Sequence, residues 1–293
     1  MTDRVSHQPA KTLAAVPISV DGPHGPIRLK WHKLRTRYVE APFKRSNLAL
    51  GWLRGASLEI DILTSADHRF VVAHDATLGP STTGSGRITR MPAAAVSGCF
   101  HRDRNGVADP DAPVLSLSDL VSPLRSLERG QEATLQLDLK VTEGHALSET
   151  AVAAAATAVA GLEHAVVVGS YHLGEARRLV AALPGARLGY DPMRAVSRDQ
   201  ALARDPRRLF HHIERRRQSV SMAYLQHDII VAAEKHGFPL VDRLLDLGIE
   251  TDAWTINPGE GLTDAILRTL VAAKVRQITT DAPSALAGRI AAL

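Results

Sequence analysis

Apolar residues along this chain recur in two alternating rhythms. Eight short runs, Ile27–His32, Ser57–Leu63, Thr134–Val141, Ala165–Tyr171, Ala186–Asp191, Val220–Gln226, Glu250–Asn257 and Gln277–Asp281, have strand length, and several are rich in β-branched residues. Between them, Asn47–Arg54, Ala146–Ala160, Gly174–Leu183 and Asp264–Ala273 carry apolar residues at three-to-four spacing, which predicts helices. Glu175–Leu183 is the clearest, with Ala176, Leu179, Val180 and Leu183 on one face and Arg177 and Arg178 pointing away. Strand and helix in alternation allow a closed parallel barrel or a doubly wound open sheet, and eight repeats favour the (β/α)8 TIM barrel.

Three stretches fall outside this rhythm. Residues 1–26 contain Pro9, Pro17, Pro23 and Pro26 with little periodicity and read as an irregular arm before a single barrel domain over 27–293. Thr64–Pro113 is too long and too rich in Gly, Ser, Thr and Pro for one crossover helix, so it reads as a small insertion over the barrel mouth after the second strand, followed by a helix within Ser116–Leu127. Ser197–Gln218 is long and strongly charged and reads as an extra helical excursion.

Composition narrows the class. The chain has 293 residues, 45% hydrophobic and 23% charged, a balance that suits a soluble protein with a sizeable core. Its formal charge of +4 is compatible with an anionic substrate. Arg207-Arg208 and Arg215-Arg216-Arg217 read as solvated faces, because no aromatic residues alternate with them and no nucleic-acid motif appears; no nucleic-acid partner is expected. The single cysteine, Cys99, excludes an internal disulfide and fits a reducing cytoplasm. Met1–Val20 has no apolar run of signal-peptide length, and no window approaches the roughly 18 apolar residues of a membrane span. A cytoplasmic protein without stable membrane insertion is expected, and its oligomeric state is left open.

Each predicted strand ends in polar or ionisable residues: His32, then Glu59 and Asp61, Asp138 and Lys140, Ser170 to His172, Asp191, Gln226 and His227, Trp254 and Asn257, and Asp281. In a barrel these ends converge on one mouth, where chemistry sits. Glu59 and Asp61 are two apart on a strand and so share a face. With Asp138 on a neighbouring strand they form an oxygen-rich site for one hard divalent cation, Mg2+ or Ca2+. Without a cation or a lysine among them, their mutual repulsion would force one to protonate.

Three linked elements then resemble the glycerophosphodiester phosphodiesterase family. They are Gly55-Ala56-Ser57-Leu58-Glu59-Ile60-Asp61, His74-Asp75-Ala76-Thr77-Leu78 and Thr83-Gly84-Ser85-Gly86. Leu137-Asp138-Leu139-Lys140, Ala253–Asn257 and Ile278–Pro283 are similar to its later segments. The resemblance implies metal-dependent hydrolysis of a small anionic phosphodiester, with Glu59, Asp61 and Asp138 on the metal and His32 and His74 as the acid–base pair. It implies Lys140 at the phosphate or at a carboxylate, Trp254 at the substrate, and Asp75 as support for His74. The family's first motif is His-Arg-Gly; here it reads His32-Lys33-Leu34-Arg35, so Lys33 or Arg35 stands in for the phosphate-binding arginine. Two other readings remain at this stage. One is a lipid-directed phospholipase of the sphingomyelinase D or lysophospholipase D type, because the third carboxylate is Asp rather than Glu. The other is a family member that binds phosphodiesters without cleaving them.

Overall fold

The computed structural model describes residues 16–141, 146–259 and 261–293. Its strands are β1 (Ser19–Gly22), β2 (Gly25–Trp31), β3 (Ser57–Thr64), β4 (Phe70–Val72), β5 (Thr77–Leu78), β6 (Gly86–Arg87), β7 (Phe100–Arg102), β8 (Ala108–Pro113), β9 (Thr134–Leu139), β10 (Val166–Ser170), β11 (Arg187–Tyr190), β12 (Val220–Gln226), β13 (Glu250–Trp254) and β14 (Gln277–Thr280). Strands β2, β3 and β9 to β14 pair in parallel in sequence order, and β14 returns to β2, which closes an eight-stranded (β/α)8 barrel.

The four predicted helices form, and two of them carry side-chain caps. Ser148 Oγ accepts from the Ala151 amide at the start of Glu149–Val159, and Thr263 Oγ1 accepts from the Ile266 amide at the start of Asp264–Ala272. Ala151, Ala155, Ala158 and Val159 lie on the buried side of the first of these, small enough to seat the helix closely. The charged excursion resolves into three short helices, Met193–Arg198, Gln200–Arg204 and Pro206–Glu214, with Asp199 and Asp205 as caps between them. The Ser116 helix ends early: Pro123 tightens the chain into a 3-10 turn over Ser122–Ser126 after Leu117–Val121.

Two differences from the sequence reading concern the arm before the first barrel strand and the insertion after the second. Residues 1–15 of the expected irregular arm lie outside the described residues, but 19–22 form β1, antiparallel to β2. The turn between them needs Gly25, whose φ of 105° is open to glycine alone without strain. The insertion has structure of its own. Two small hairpins, β5–β6 and β7–β8, sit on a separate apolar cluster of Leu63, Val71, Ala73, Leu78, Ile88, Ala93, Val96 and Val114.

Inside the barrel, Tyr224 from β12 fills space left by Gly169 and Gly189 on the two strands before it. A Cβ at Gly169 would lie 2.8 Å from Tyr224 Cε2, and one at Gly189 would overlap the same atom more severely. Gly189→Ala is therefore expected to destabilise the fold by about 1–3 kcal/mol through overpacking, read as a lower urea midpoint with unchanged slope.

Candidate active site

A cavity of about 270 Å³ opens at the C-terminal ends of the barrel strands. Its walls follow from strand parity. Lys30 and His32, Glu59 and Asp61, Gln136 and Asp138, and Asp252 and Trp254 are all spaced two apart, along their strands or just beyond them, so each pair points into the barrel. Asp61 stands in register with Asp138 across β3 and β9. One oxygen each from Glu59, Asp61 and Asp138 falls within 4.8 Å of the other two.

Three carboxylates this close, with Glu59 and Asp61 fully buried, share their protons unequally. Burial, then Asp61 and Asp138, push the Glu59 carboxyl well above its ordinary range. Burial also opposes ionisation of Asp61, but Lys140 and Lys33 overcome it and hold its pKa below normal. Lys140 Nζ lies 3.0 Å from Asp61 Oδ1 and 2.6 Å from Asp138 Oδ2. Lys33 Nζ stands 3.8 Å from Asp61 Oδ2, too far for a hydrogen bond. Among the described residues that buried oxygen has no hydrogen-bond partner.

Both candidate histidines are oriented by a carboxylate. His32 Nδ1 lies 2.9 Å from Asp281 Oδ1, and His74 Nδ1 lies 2.9 Å from Asp75 Oδ1. In each case Nδ1–H donates and Nε2 is left for proton exchange. Burial lowers the pKa of His32 despite Asp281. Asp75 is fixed in turn by Ser81 Oγ, which donates to its Oδ2 at 3.0 Å.

A family model for the glycerophosphoryl diester phosphodiesterase family matches residues 54–285. The chain belongs to this family. Its members are phosphoric diester hydrolases, and so is this protein. Solved structures agree on the fold. A glycerophosphodiester phosphodiesterase described as putative, from Galdieria sulphuraria, superposes with a TM-score of 0.69 at 14% identity, covering 90% of this chain and 98% of that one. A putative glycerophosphoryl diester phosphodiesterase from Agrobacterium tumefaciens gives 0.66 at 19% identity, covering 91% and 98%. An Oleispira antarctica phosphodiesterase, solved with the product sn-glycerol-3-phosphate, gives 0.60 at 17% identity, covering 90% and 96%. No curated protein matches the chain.

A divalent cation of the kind this family's chemistry employs fits the carboxylate cluster. The donors are all hard oxygens, Asp61 Oδ2 is buried with no hydrogen-bond partner among the described residues, and the pressure on Glu59 to protonate is what a nearby cation relieves. Of the other expected residues, Lys33, Lys140 and Trp254 line the same cavity. Lys33 does so from a left-handed backbone with φ of 53°, its amide donating to Glu59 Oε2 at 2.6 Å. Arg35 lies elsewhere. Its guanidinium donates to Asp281 Oδ1 at 3.1 Å and to the Glu40 carbonyl at 2.8 Å, behind His32, and it lines a smaller adjoining cavity of about 100 Å³.

Several residues in the site were not singled out from sequence. Lys30 pairs with Asp252 at 2.6 Å, donates to Gln136 Oε1, and sits 4.5 Å from the centre of the Tyr224 ring. The two-residue spacing that marks Glu59 and Asp61 marks Lys30 and His32 equally well. In the sequence Asp281 is a polar strand end within the family-like Ile278–Pro283 segment, with no role assigned to it. It accepts from His32, Arg35, Asn257 Nδ2 at 3.0 Å and Arg104 at 2.8 Å, and no local signal links Arg104, in the insertion, to it.

Asp191 lines the cavity with its carboxyl pushed up to about 7 by burial, with Asp138 adding repulsion. A carboxyl whose pKa rises on folding favours the fold below its unfolded pKa, and that contribution is lost as pH rises through about 7. The melting temperature of the metal-free protein is expected to fall between pH 6 and pH 8, and to fall less in Asp191→Asn; equal falls would refute the assignment.

Proposed function

We propose that this protein hydrolyses glycerophosphodiesters to an alcohol and glycerol 3-phosphate in the cytoplasm. In this reading Glu59, Asp61 and Asp138 hold one divalent cation, Mg2+ or Ca2+, and His32 and His74 exchange the protons. The observation that carries it is the arrangement of two histidine–carboxylate pairs in one cavity with a three-carboxylate cluster. The product found in the Oleispira antarctica relative supports glycerol 3-phosphate as the released phosphomonoester. The single cysteine is in keeping with a reducing compartment.

A cation on these carboxylates would offset the charge of the diester oxygens and ease deprotonation of a bound hydroxyl. Lys33 and Lys140 add positive charge where the phosphoryl oxygens gain charge in the transition state. His32 is the more deeply buried histidine and its pKa is lowered, so near neutral pH it is an unprotonated base. His74 is half-exposed at the cavity rim, where it can donate to a departing alkoxide. Asp281 and Asp75 hold the two rings in the tautomer that leaves Nε2 for the substrate. Trp254 supplies an apolar wall, and Arg35 acts through Asp281 to fix His32.

His74→Ala and His32→Ala are each expected to lower kcat by about 10²–10⁴-fold with glycerophosphodiester substrates while circular dichroism is unchanged. A near-normal rate in either variant removes that histidine from the mechanism. EDTA should abolish turnover, and Glu59→Gln should raise the Mg2+ or Ca2+ concentration needed to restore it; an unchanged requirement would refute the ligand assignment. The acidic limb of kcat/KM should have its midpoint below the ordinary histidine value of about 6.5, since His32 must lose its proton to act. A midpoint above that value would argue against His32 as the base.

A further inference from the structure

The barrel has a second large cavity, of about 510 Å³, at the end opposite the active site. Strand polarity places it there. Thr134, Arg187, Glu250 and Gln277 are the first residues of β9, β11, β13 and β14, Arg276 immediately precedes β14, and Arg28 is level with Gln277 on β2. Four arginines line it: Arg28, Arg129, Arg187 and Arg276. Three of them spend N–H groups on carbonyls. Arg28 donates to Gly55 and Glu132, Arg129 to Ala133, and Arg276 to His24. Carbonyls satisfy the donors but leave the charge in place.

Two carboxylates share this space, Glu132 and Glu250, and both are exposed. Glu132 reaches Arg28 at 3.4 Å. Four positive groups against two negative ones leave an excess of positive charge around a recess. Arg187 is the least committed of the four: its side chain has no hydrogen-bond or ion-pair partner among the described residues. Arg28 is partly buried, and burial, with Arg187 and Arg129 nearby, lowers its pKa. An anion in the recess would reverse that effect. One side of the lining is apolar, formed by Val167, Met222 and the Tyr224 ring, next to the polar Gln136 and Gln277.

We propose that this N-terminal cavity binds a small organic phosphate, with the anionic group among Arg28, Arg187 and Arg276 and the organic body against Val167, Met222 and Tyr224. Planar guanidinium forks match the oxygens of a phosphate, and a recess of this size lies within the range of small-molecule sites. Gln136 and Tyr224 line both this cavity and the active site, so they form the partition between them. The bound phosphate is held away from the carboxylate cluster and is a ligand rather than a substrate.

Isothermal titration of the whole protein with inorganic phosphate and with glucose 6-phosphate tests this, using the wild type, Arg187→Glu, Arg187→Gln and the active-site variant Glu59→Gln. Glucose 6-phosphate should bind more tightly than inorganic phosphate, weaken at least about tenfold in both Arg187 variants, and bind Glu59→Gln as it binds the wild type. Diesterase activity of the Arg187 variants should stay at the wild-type level, so failure of the catalytic reading would not be mistaken for failure of this one. The proposal is overturned if no saturation occurs by about 5 mM, if the Arg187 variants bind unchanged, or if Glu59→Gln abolishes the binding. Equal affinity for the two probes would overturn the organic part.

Discussion

Three carboxylates in a largely enclosed mouth repel one another, and much of the site is arranged around that repulsion. Glu59 and Asp61 cannot be turned outward, because the β3 pleat that points them inward also buries Leu58, Ile60 and Ile62 on the other face. Register then sets Asp138 beside Asp61. The charge has to be met locally, and three lysines meet it from the ends of two strands, β2 and β9. Lys140 bridges Asp61 and Asp138, Lys33 approaches Asp61 from the loop after β2, and Lys30 sits below with Asp252. Lys33 and Leu34 both adopt left-handed backbone there, a conformation that costs about 1–3 kcal/mol per residue and persists only where the surroundings enforce it. The amide of Lys33 on Glu59 is one such restraint.

The second organising group is Asp281, just past the last barrel strand. Burial opposes its ionisation, but His32 and Arg35 hold its pKa far below the ordinary range. Such a carboxylate stabilises the fold above its unfolded pKa of about 3.9 and loses that contribution only as pH falls toward its lower folded value. Its partners come from the first strand end, the loop after β13 and the insertion. Arg104 reaches it from the β7–β8 hairpin, with its guanidinium 3.7 Å from the centre of the Tyr38 ring. The insertion is therefore tied to the group that orients His32, and closure of the barrel and alignment of that base depend on the same carboxylate.

Between the two ends of the barrel lies a polar layer instead of a purely aliphatic one. Lys30, Gln136, Asp252, Gln277 and Thr279 bond to one another, with Tyr224 against the Lys30 ammonium. Removing one member would strand a buried charge, so the layer behaves as a unit. It supports the carboxylates above and closes the arginine-lined recess below.

The sequence by itself determined the eight strands, the inward carboxylates and the His74 motif, because period-two alternation and strand-end position are local properties of the chain. It also marked the insertion, through a length no crossover helix could fill. It did not reveal β1, whose four residues show no apolar alternation and which pairs only with β2. It placed Arg35 beside the substrate, whereas the tertiary structure turns Arg35 onto Asp281, a contact spanning almost the whole chain. Lys30 was within reach of the same spacing rule that found Glu59, yet its partner Asp252 lies far along the sequence. The arginine recess exists only because closing the barrel brings the starts of distant strands together. Charge pairing between such segments depends on three-dimensional distance, and that is what only the closed fold decides.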